Sequence, residues 1–125
     1  MVTKTSNTNI LQDKLDLYDQ LISTIPEIER KGVTIPYTSH NGHMFTFLSP
    51  EGTMALRLAE KERNAFLKHY KTVLMESYGA VMKEYVKVPE NLLKETNELK
   101  KYLVLSYEYI KTIKPKPTKK TIAKQ

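Results

Sequence analysis

The sequence contains no cysteine and no tryptophan. Without cysteine, the protein can have no disulfide, no thiolate nucleophile and no cysteine-ligated zinc site. Because small secreted domains commonly depend on disulfides, the absence of cysteine favours a reducing compartment. We therefore predict a cytoplasmic protein.

Long hydrophobic runs are missing as well. The longest purely aliphatic or aromatic run is Tyr102-Leu103-Val104-Leu105, far shorter than the ~20 residues that cross a bilayer. The polar N-terminus, Met-Val-Thr-Lys-Thr-Ser-Asn-Thr-Asn, has no apolar segment typical of a signal peptide. We therefore expect no membrane partner.

Glycine is scarce, and the four glycines stand singly, so there is no glycine-rich loop that could cradle a phosphate. The carboxylates Glu60 and Glu62 lie two residues apart, and residues at that spacing on a helix point away from each other. They are not a pattern for acid–base catalysis. Ser39 and His40 are adjacent, which is not the geometry of a catalytic triad. We expect no enzyme activity, no catalytic residue and no cofactor.

His40 and His43 lie on either side of Asn41-Gly42, and two imidazoles this close could begin a metal site. A zinc ion would need further ligands with supporting hydrogen bonds. Nothing in the sequence places an aspartate or glutamate beside the two histidines. We interpret them as polar residues that flank a hairpin, and we expect no metal.

Positive charge is concentrated at the C-terminus. The formal net charge is +6, six lysines lie beyond residue 110, and no acidic residue follows Glu108. Without those six, the 20 basic residues fall to 14 and equal the 14 acidic ones. A neutral body argues against a domain surface built for nucleic acid. We interpret residues 115–125 as a disordered, solubilising tail. The alternative is polyanion contact through Lys114, Lys116, Lys119 and Lys120.

The spacing of apolar residues predicts a helix followed by three strands. A polar leader at residues 1–8 is predicted to be disordered. From Ile10 to Ile25 the apolar residues recur three and four apart, which indicates a helix with Asn9 as its N-cap. Alternation then indicates an antiparallel meander whose first turn is Asn41-Gly42. Its three predicted strands are 33–37, 43–48 and 54–58.

Helical spacing returns at residues 60–71. The predicted inner side of this helix consists of Ala65, Phe66, His69 and Tyr70. Strands are predicted at 73–75 and 81–88, and a last helix, capped by Thr96, runs to Ile113. Within 81–88, alternation puts Met82 on the same face as Val86 and Val88. The whole predicts one α+β domain over residues 9–114, a two-layer antiparallel sheet with helices in the order α-βββ-α-ββ-α.

Three stretches of this domain resemble the N-terminal domain of the TfoX/Sxy family. They are His43-Met44-Phe45, Met54-Ala55-Leu56-Arg57-Leu58 and Met82-Lys83-Glu84-Tyr85-Val86-Lys87-Val88-Pro89-Glu90-Asn91-Leu92-Leu93. The similarity covers roughly residues 10–114. It implies a fold similar to that of secretion chaperones. It also implies an association with the regulation of competence genes, in which family members act as coactivators.

Tyrosine supplies most of the aromatic residues, with eight in the chain. Tyr102, Tyr107 and Tyr109 crowd the last predicted helix and cannot all face inward. An exposed tyrosine could anchor a protein partner or a second copy of the chain, whereas the alternative is that it covers the edge of the sheet. We therefore expect a non-enzymatic regulatory or protein-interaction domain. The alternative is weak nucleic-acid binding by the lysine-rich tail.

Overall fold

The computed structural model describes residues 2–32, 35–77 and 79–115, which form an α+β fold as predicted. The element order is α-βββ-α-ββ-α, with the last helical region divided in two. The helices are α1 (Val2–Ser23), α2 (Glu60–Tyr70), α3 (Glu90–Leu93) and α4 (Thr96–Thr112). The strands are β1 (Tyr37–His40), β2 (His43–Leu48), β3 (Met54–Arg57), β4 (Leu74–Ser77) and β5 (Ala80–Val88).

The five strands form one antiparallel sheet in the order β1-β2-β3-β5-β4. The hairpin turn between β1 and β2 is made by Asn41 (φ 55°) and Gly42 (φ 84°), and such positive φ angles are what a tight hairpin turn requires. All four helices contribute to the main core against one face of the sheet. Phe45 and Leu56 are fully buried in that core.

A β-bulge lets β2 send two consecutive residues toward the helices. The pairing of β1 with β2 shifts register between Thr38 and Ser39, which leaves Phe45 as an extra residue in β2. Phe45 enters the main core, and its neighbour Thr46 reaches Tyr18 of α1. The bulge thus connects the centre of the sheet to α1 and α4 at once.

A buried chain of hydroxyl groups crosses from α1 to the sheet. Tyr18 Oη lies 2.7 Å from Thr46 Oγ1, which in turn lies 2.8 Å from Thr38 Oγ1. All three residues are fully buried, so each hydroxyl depends on the others for its hydrogen bonds. Burial raises the pKa of Tyr18 far above its ordinary value, because the phenolate would be desolvated there.

Substituting Tyr18→Phe is expected to cost about 1 kcal/mol at neutral pH, the usual net value of one hydrogen bond. Because the folded-state pKa is raised, the stability that Tyr18 contributes is fully present below the unfolded pKa near 10 and declines above it. The decline is ~1.4 kcal/mol per pH unit. One pH unit above the unfolded pKa, the difference in free energy of unfolding between wild type and Tyr18→Phe should therefore fall from about 1 kcal/mol to about zero or slightly below it, so that the variant becomes at least as stable as the wild type. Urea unfolding at both pH values measures it, and a difference that does not change with pH contradicts the prediction.

Two predicted element boundaries differ from the structure at the N-terminal side. Helix α1 begins at Val2, so residues expected in a disordered leader belong to it, and Asn9 lies inside the helix instead of capping it. The first strand begins at Tyr37, with Ile35 ahead of it and Val33 outside the described residues. None of the described helices is long and apolar enough to span a membrane.

The later helices also correct the prediction in detail. On α2, Phe66 is buried and Tyr70 half-buried as expected, but Ala65 and His69 are exposed. The N-cap of α4 is Glu95 rather than Thr96. These positions depend on how α2 and α4 rotate against the sheet, which helical spacing alone leaves open within a turn.

Candidate functional site

The face of the sheet opposite the helices carries a second, smaller apolar cluster. None of its described members comes from a helix. The buried members are Phe47, Ala55 and Met75, and the partly buried ones are Ile35, Tyr37, Met44, Met82 and Tyr85. We call this surface the helix-free face. Its side chains are the ones that the alternation of the strands turns away from the main core.

The sheet register lines up a row of residues across the helix-free face. Tyr37 pairs with Phe47, Phe47 with Ala55, and Ala55 with Lys87. The row is apolar over three strands and ends in an exposed lysine on β5. An unpartnered sheet face of a soluble protein normally alternates to polar residues, so this row is unusual for a surface without a covering helix.

A large irregularity in β5 moves Met82 onto the helix-free face. Leu74 pairs with Val86 but Glu76 pairs with Val81, so two steps along β4 correspond to five along β5. Strand β5 therefore has three more residues than β4 over this stretch. Because three is an odd number, the side chains beyond it point to the opposite faces of the sheet from those that regular alternation would give. Met82 therefore joins the helix-free cluster and does not share the face of Val86, contrary to the prediction.

A groove of about 310 Å³ opens on the helix-free face and is lined almost entirely by apolar atoms. Its lining residues are Ile35, Tyr37, Met44, Phe47, Ser77 and Met82. Met44 and Met82 belong to β2 and β5, which flank β3, so the sheet must curl for them to meet at one groove. Methionine side chains are flexible and polarizable, which lets such a groove adapt to different apolar partners.

A second groove of about 350 Å³ continues the first one. The two share Ile35, Phe47 and Ser77. The second groove is more polar, and both Glu51 and Glu76 line it. The helix-free face therefore presents one elongated concave surface, with Met44 and Met82 at one end and Glu51 at the other.

Tyr85 fixes the floor of this surface. Its hydroxyl donates a hydrogen bond of 2.6 Å to the Met44 carbonyl oxygen, and its ring centroid lies 6.2 Å from that of Phe47. Burial raises the pKa of Tyr85, because the phenolate would lose its hydration there. The Arg57 guanidinium also contacts the Tyr85 ring, at 5.8 Å from its centroid. It forms an ion pair with Glu84, in which Arg57 Nε lies 2.7 Å from Glu84 Oε1. Tyr85 is therefore held in a fixed position beneath the groove, whereas the methionine side chains that line the groove can change conformation.

The three tyrosines predicted at a partner interface are half-buried on α4: Tyr102, Tyr107 and Tyr109. Tyr102 packs edge-on against Phe66 at 5.0 Å, Tyr107 stacks on Phe45 at 5.6 Å, and Tyr109 lies 5.9 Å from Arg57. The exposed apolar residues of the described part of α4 are instead Val104 and Leu105. An interface at the three tyrosines stays a prediction, and each of them already has a structural role inside the fold.

The two histidines flank the β1–β2 turn as expected. The His40 ring meets Tyr107 edge-on at 5.4 Å, and His43 Nε2 donates to the Lys114 carbonyl oxygen at 2.8 Å. This second contact attaches the end of the α4 region to the start of β2. Across residues 2–32, 35–77 and 79–115, no three His, Asp or Glu side chains gather as a metal ion would require.

Of the four lysines predicted to contact a polyanion, only Lys114 falls in the described part of the chain, where it is exposed. Lys116, Lys119 and Lys120 lie outside the described residues. In the last turn of α4, Lys111 pairs with Glu108 at 3.1 Å, and its Nζ lies 4.8 Å from the Tyr107 ring centroid. Part of the positive charge at this end of the helix is thus matched by a local acid.

Another concavity, of about 480 Å³, lies beside α3 and the start of α4. Glu95 and Glu98 line it together with Tyr70. The Tyr70 hydroxyl donates to Glu98 Oε2 at 2.5 Å and lies 3.3 Å from the Tyr102 hydroxyl. Burial, and next the hydrogen bond to Glu98, raise the pKa of Tyr70 far above its ordinary value. Through this hydrogen bond, Glu98 helps to hold α4 against α2. We therefore interpret the concavity as a gap between packed helices and not as a binding site.

No protein-family model, curated protein or solved structure matches this chain. The similarity to the TfoX/Sxy N-terminal domain therefore stays a prediction.

Proposed function

We propose that the chain is a non-enzymatic protein-interaction domain of regulatory type, which binds another polypeptide at the groove of its helix-free face. One observation carries the proposal. A sheet face that none of the described helices covers bears a continuous concave surface, lined by Met44 and Met82 with Phe47 beneath them.

The chemistry of the groove suits a polypeptide. Contiguous exposed apolar surface is uncommon on soluble monomers and commonly marks an interaction site. Sites for small molecules bury most of their ligand, whereas this groove is elongated, open to solvent and continuous with a second one. Backbone of a bound chain could follow its length while apolar side chains contact the methionines.

The regulatory part of the proposal is supported by the resemblance to the TfoX N-terminal domain. Met44 lies within the stretch His43-Met44-Phe45, and Met82 begins the stretch that runs to Leu93. Both residues that wall the groove thus belong to the stretches on which the resemblance depends. We propose that partner binding at this groove is the means by which the domain regulates.

Site-specific photo-crosslinking in cells that make the full chain tests the proposal. A photo-crosslinking amino acid replaces Ser77, a half-buried residue of the groove, or Lys100, an exposed residue of α4, as the control. We expect a discrete light-dependent product from position 77 and none from position 100. Its mass tells whether the captured polypeptide is a second copy or another protein.

A second substitution in the same chain makes this result specific. Met44→Glu places a carboxylate in the apolar groove and should reduce the crosslinked product by about tenfold or more, because the bound chain would desolvate an unpaired charge. Leu105→Glu, on the exposed side of α4, is the matched control and should leave the yield unchanged. Equal products from positions 77 and 100, or a yield insensitive to Met44→Glu, would contradict the proposed function.

A further inference from the structure

We infer that two copies of this chain pair along their β4 strands, antiparallel about a two-fold axis at Leu74, so that their two sheets become one. The contact lies at the edge of the sheet and not in the groove, and it goes beyond the proposed function. The open edge of β4 and the order of side chains along it carry the inference.

The two edges of the sheet differ in how they are protected. On the outer side of β1, the backbone of Lys31 forms two hydrogen bonds with Tyr37, of 2.7 and 2.9 Å, and Pro36 offers no N–H. Among the described strands, β4 pairs only with β5. Neither lysine nor proline, which commonly block edge strands, occurs between positions 72 and 77. The edge of β4 is therefore open to a further strand.

Backbone groups of two β4 residues point to this open side. The Val73 carbonyl oxygen accepts a hydrogen bond of 2.9 Å from the Lys87 N–H on β5. Because successive residues of a strand direct their N–H and C=O groups to opposite sides, Leu74 and Glu76 direct theirs away from β5. A strand added here would therefore meet donors and acceptors at both positions.

The side chains along this edge match a second copy when Leu74 lies on the two-fold axis. Each Leu74 then exchanges two backbone hydrogen bonds with its counterpart, and Val73 stands opposite Met75 of the other copy. Val73 is 59% exposed in the single chain, the highest value among the exposed large hydrophobic residues described, and this pairing covers it. At both ends, the exposed Lys71 comes beside the exposed Glu76 of the other copy, where their charges attract.

Other axes fit these side chains less well. An axis at Met75 would set Leu74 against the Glu76 carboxylate of the other copy, and an axis at Glu76 would set two carboxylates against each other. The exposed Lys87 stands next to Val73, one strand inside the edge. With the axis at Leu74, the two Lys87 residues would be about 14 Å or more apart across the strands between them, so salt screens their repulsion. The side chains thus select the axis at Leu74.

Sedimentation of the wild-type chain over a range of concentrations measures the self-association, and we expect a concentration-dependent dimer. Leu74→Pro removes the N–H donors at the axis and should raise the dissociation constant by about tenfold or more. The fold should tolerate it, because proline is accepted on an edge strand where the N–H faces outward. Leu74→Val keeps the donors and should stay within about threefold of the wild type. Chains that are monomeric at every concentration, or a dimer that resists Leu74→Pro, would overturn the inference.

The absence of cysteine from the chain allows a direct test of the register. Leu74→Cys places two thiols at the axis with Cα atoms about 5.5 Å apart, which suits a disulfide. Val73→Cys gives a more exposed thiol, but the Cα atom of its counterpart would be about 8 Å away, beyond the usual reach of a disulfide. With oxidised glutathione as the oxidant, we expect a covalent dimer from Leu74→Cys and little from Val73→Cys.

Met75→Cys and Val81→Cys complete the comparison. Val81 is 51% exposed and lies on β5, so a covalent dimer of Val81→Cys would report random collision. An axis at Met75 would instead give most product from Met75→Cys. Product from Leu74→Cys that does not exceed that of the other three variants would overturn the inference. The groove is tested by other substitutions, so the proposed function and this dimer can fail separately.

Discussion

Replacing Leu103 by alanine should lower the free energy of unfolding by about 3 kcal/mol. Leu103 is 0% exposed, lies on α4 and belongs to the main core between the helices and the sheet. The substitution removes buried methyl groups and leaves a cavity that close-packed neighbours fill only in part. Since a domain of this size has a stability of only about 5–15 kcal/mol, the loss should be evident in any unfolding experiment.

The matched control lies two residues further along the same helix. Leu105 is 39% exposed, so Leu105→Ala loses less burial and creates no enclosed cavity, and its cost should be below about 1 kcal/mol. Both variants have nearly the same helix propensity, because the change is identical in each. Urea unfolding followed by circular dichroism gives the two values. Equal losses at positions 103 and 105 would mean that α4 is rotated relative to the structure described.

Gly32→Ala should cost about 3 kcal/mol or more, for two reasons that add. Gly32 has φ +92°, in the region that side chains disfavour by ~1–2 kcal/mol. A Cβ atom there would also lie 2.2 Å from the Ile35 carbonyl oxygen and 2.9 Å from Tyr37 Cδ1. Because the nearer atom belongs to the backbone, the loop that carries Ile35 would have to move.

Gly79→Ala separates the two reasons. Gly79 has a similar φ of +79°, but a Cβ atom there meets nothing within 4 Å. Its cost should therefore be the conformational part alone, about 1 kcal/mol. The difference between the two free energies of unfolding measures the clash at Gly32. A similar cost at both positions would show that the loop carrying Ile35 moves easily. Because Ile35 lines the groove, that side of the groove would then be easily moved as well.

The predicted and the observed strands agree where the local chemistry is strong. Asn41-Gly42 accepts the positive φ angles of a tight turn, so the β1–β2 hairpin follows from two residues. The alternation around Leu56 and the helical spacing around Leu103 similarly indicate which side of each element is buried. In each case the relevant physics acts over a few neighbouring residues.

The features that form the groove could not be predicted from such local patterns. The bulge at Phe45 and the irregular pairing that moves Met82 depend on which residue of the neighbouring strand stands opposite, which the side-chain pattern of one strand does not specify. Sequence reasoning focused on the α4 tyrosines, and it missed the helix-free face because alternation shows that two faces exist but not which one the helices cover. The signal that was present is the apolar character of both Phe47 and Phe45, on what became opposite faces of the sheet.

Local patterns in the chain were thus sufficient for the element order, the hairpin turn and most of the core, because hydrophobic periodicity and turn chemistry are properties of short segments. The partly covered sheet and the meeting of Met44 with Met82 arise from long-range pairing. They appear only once the strands are brought together, since register and curvature are settled between segments rather than within them.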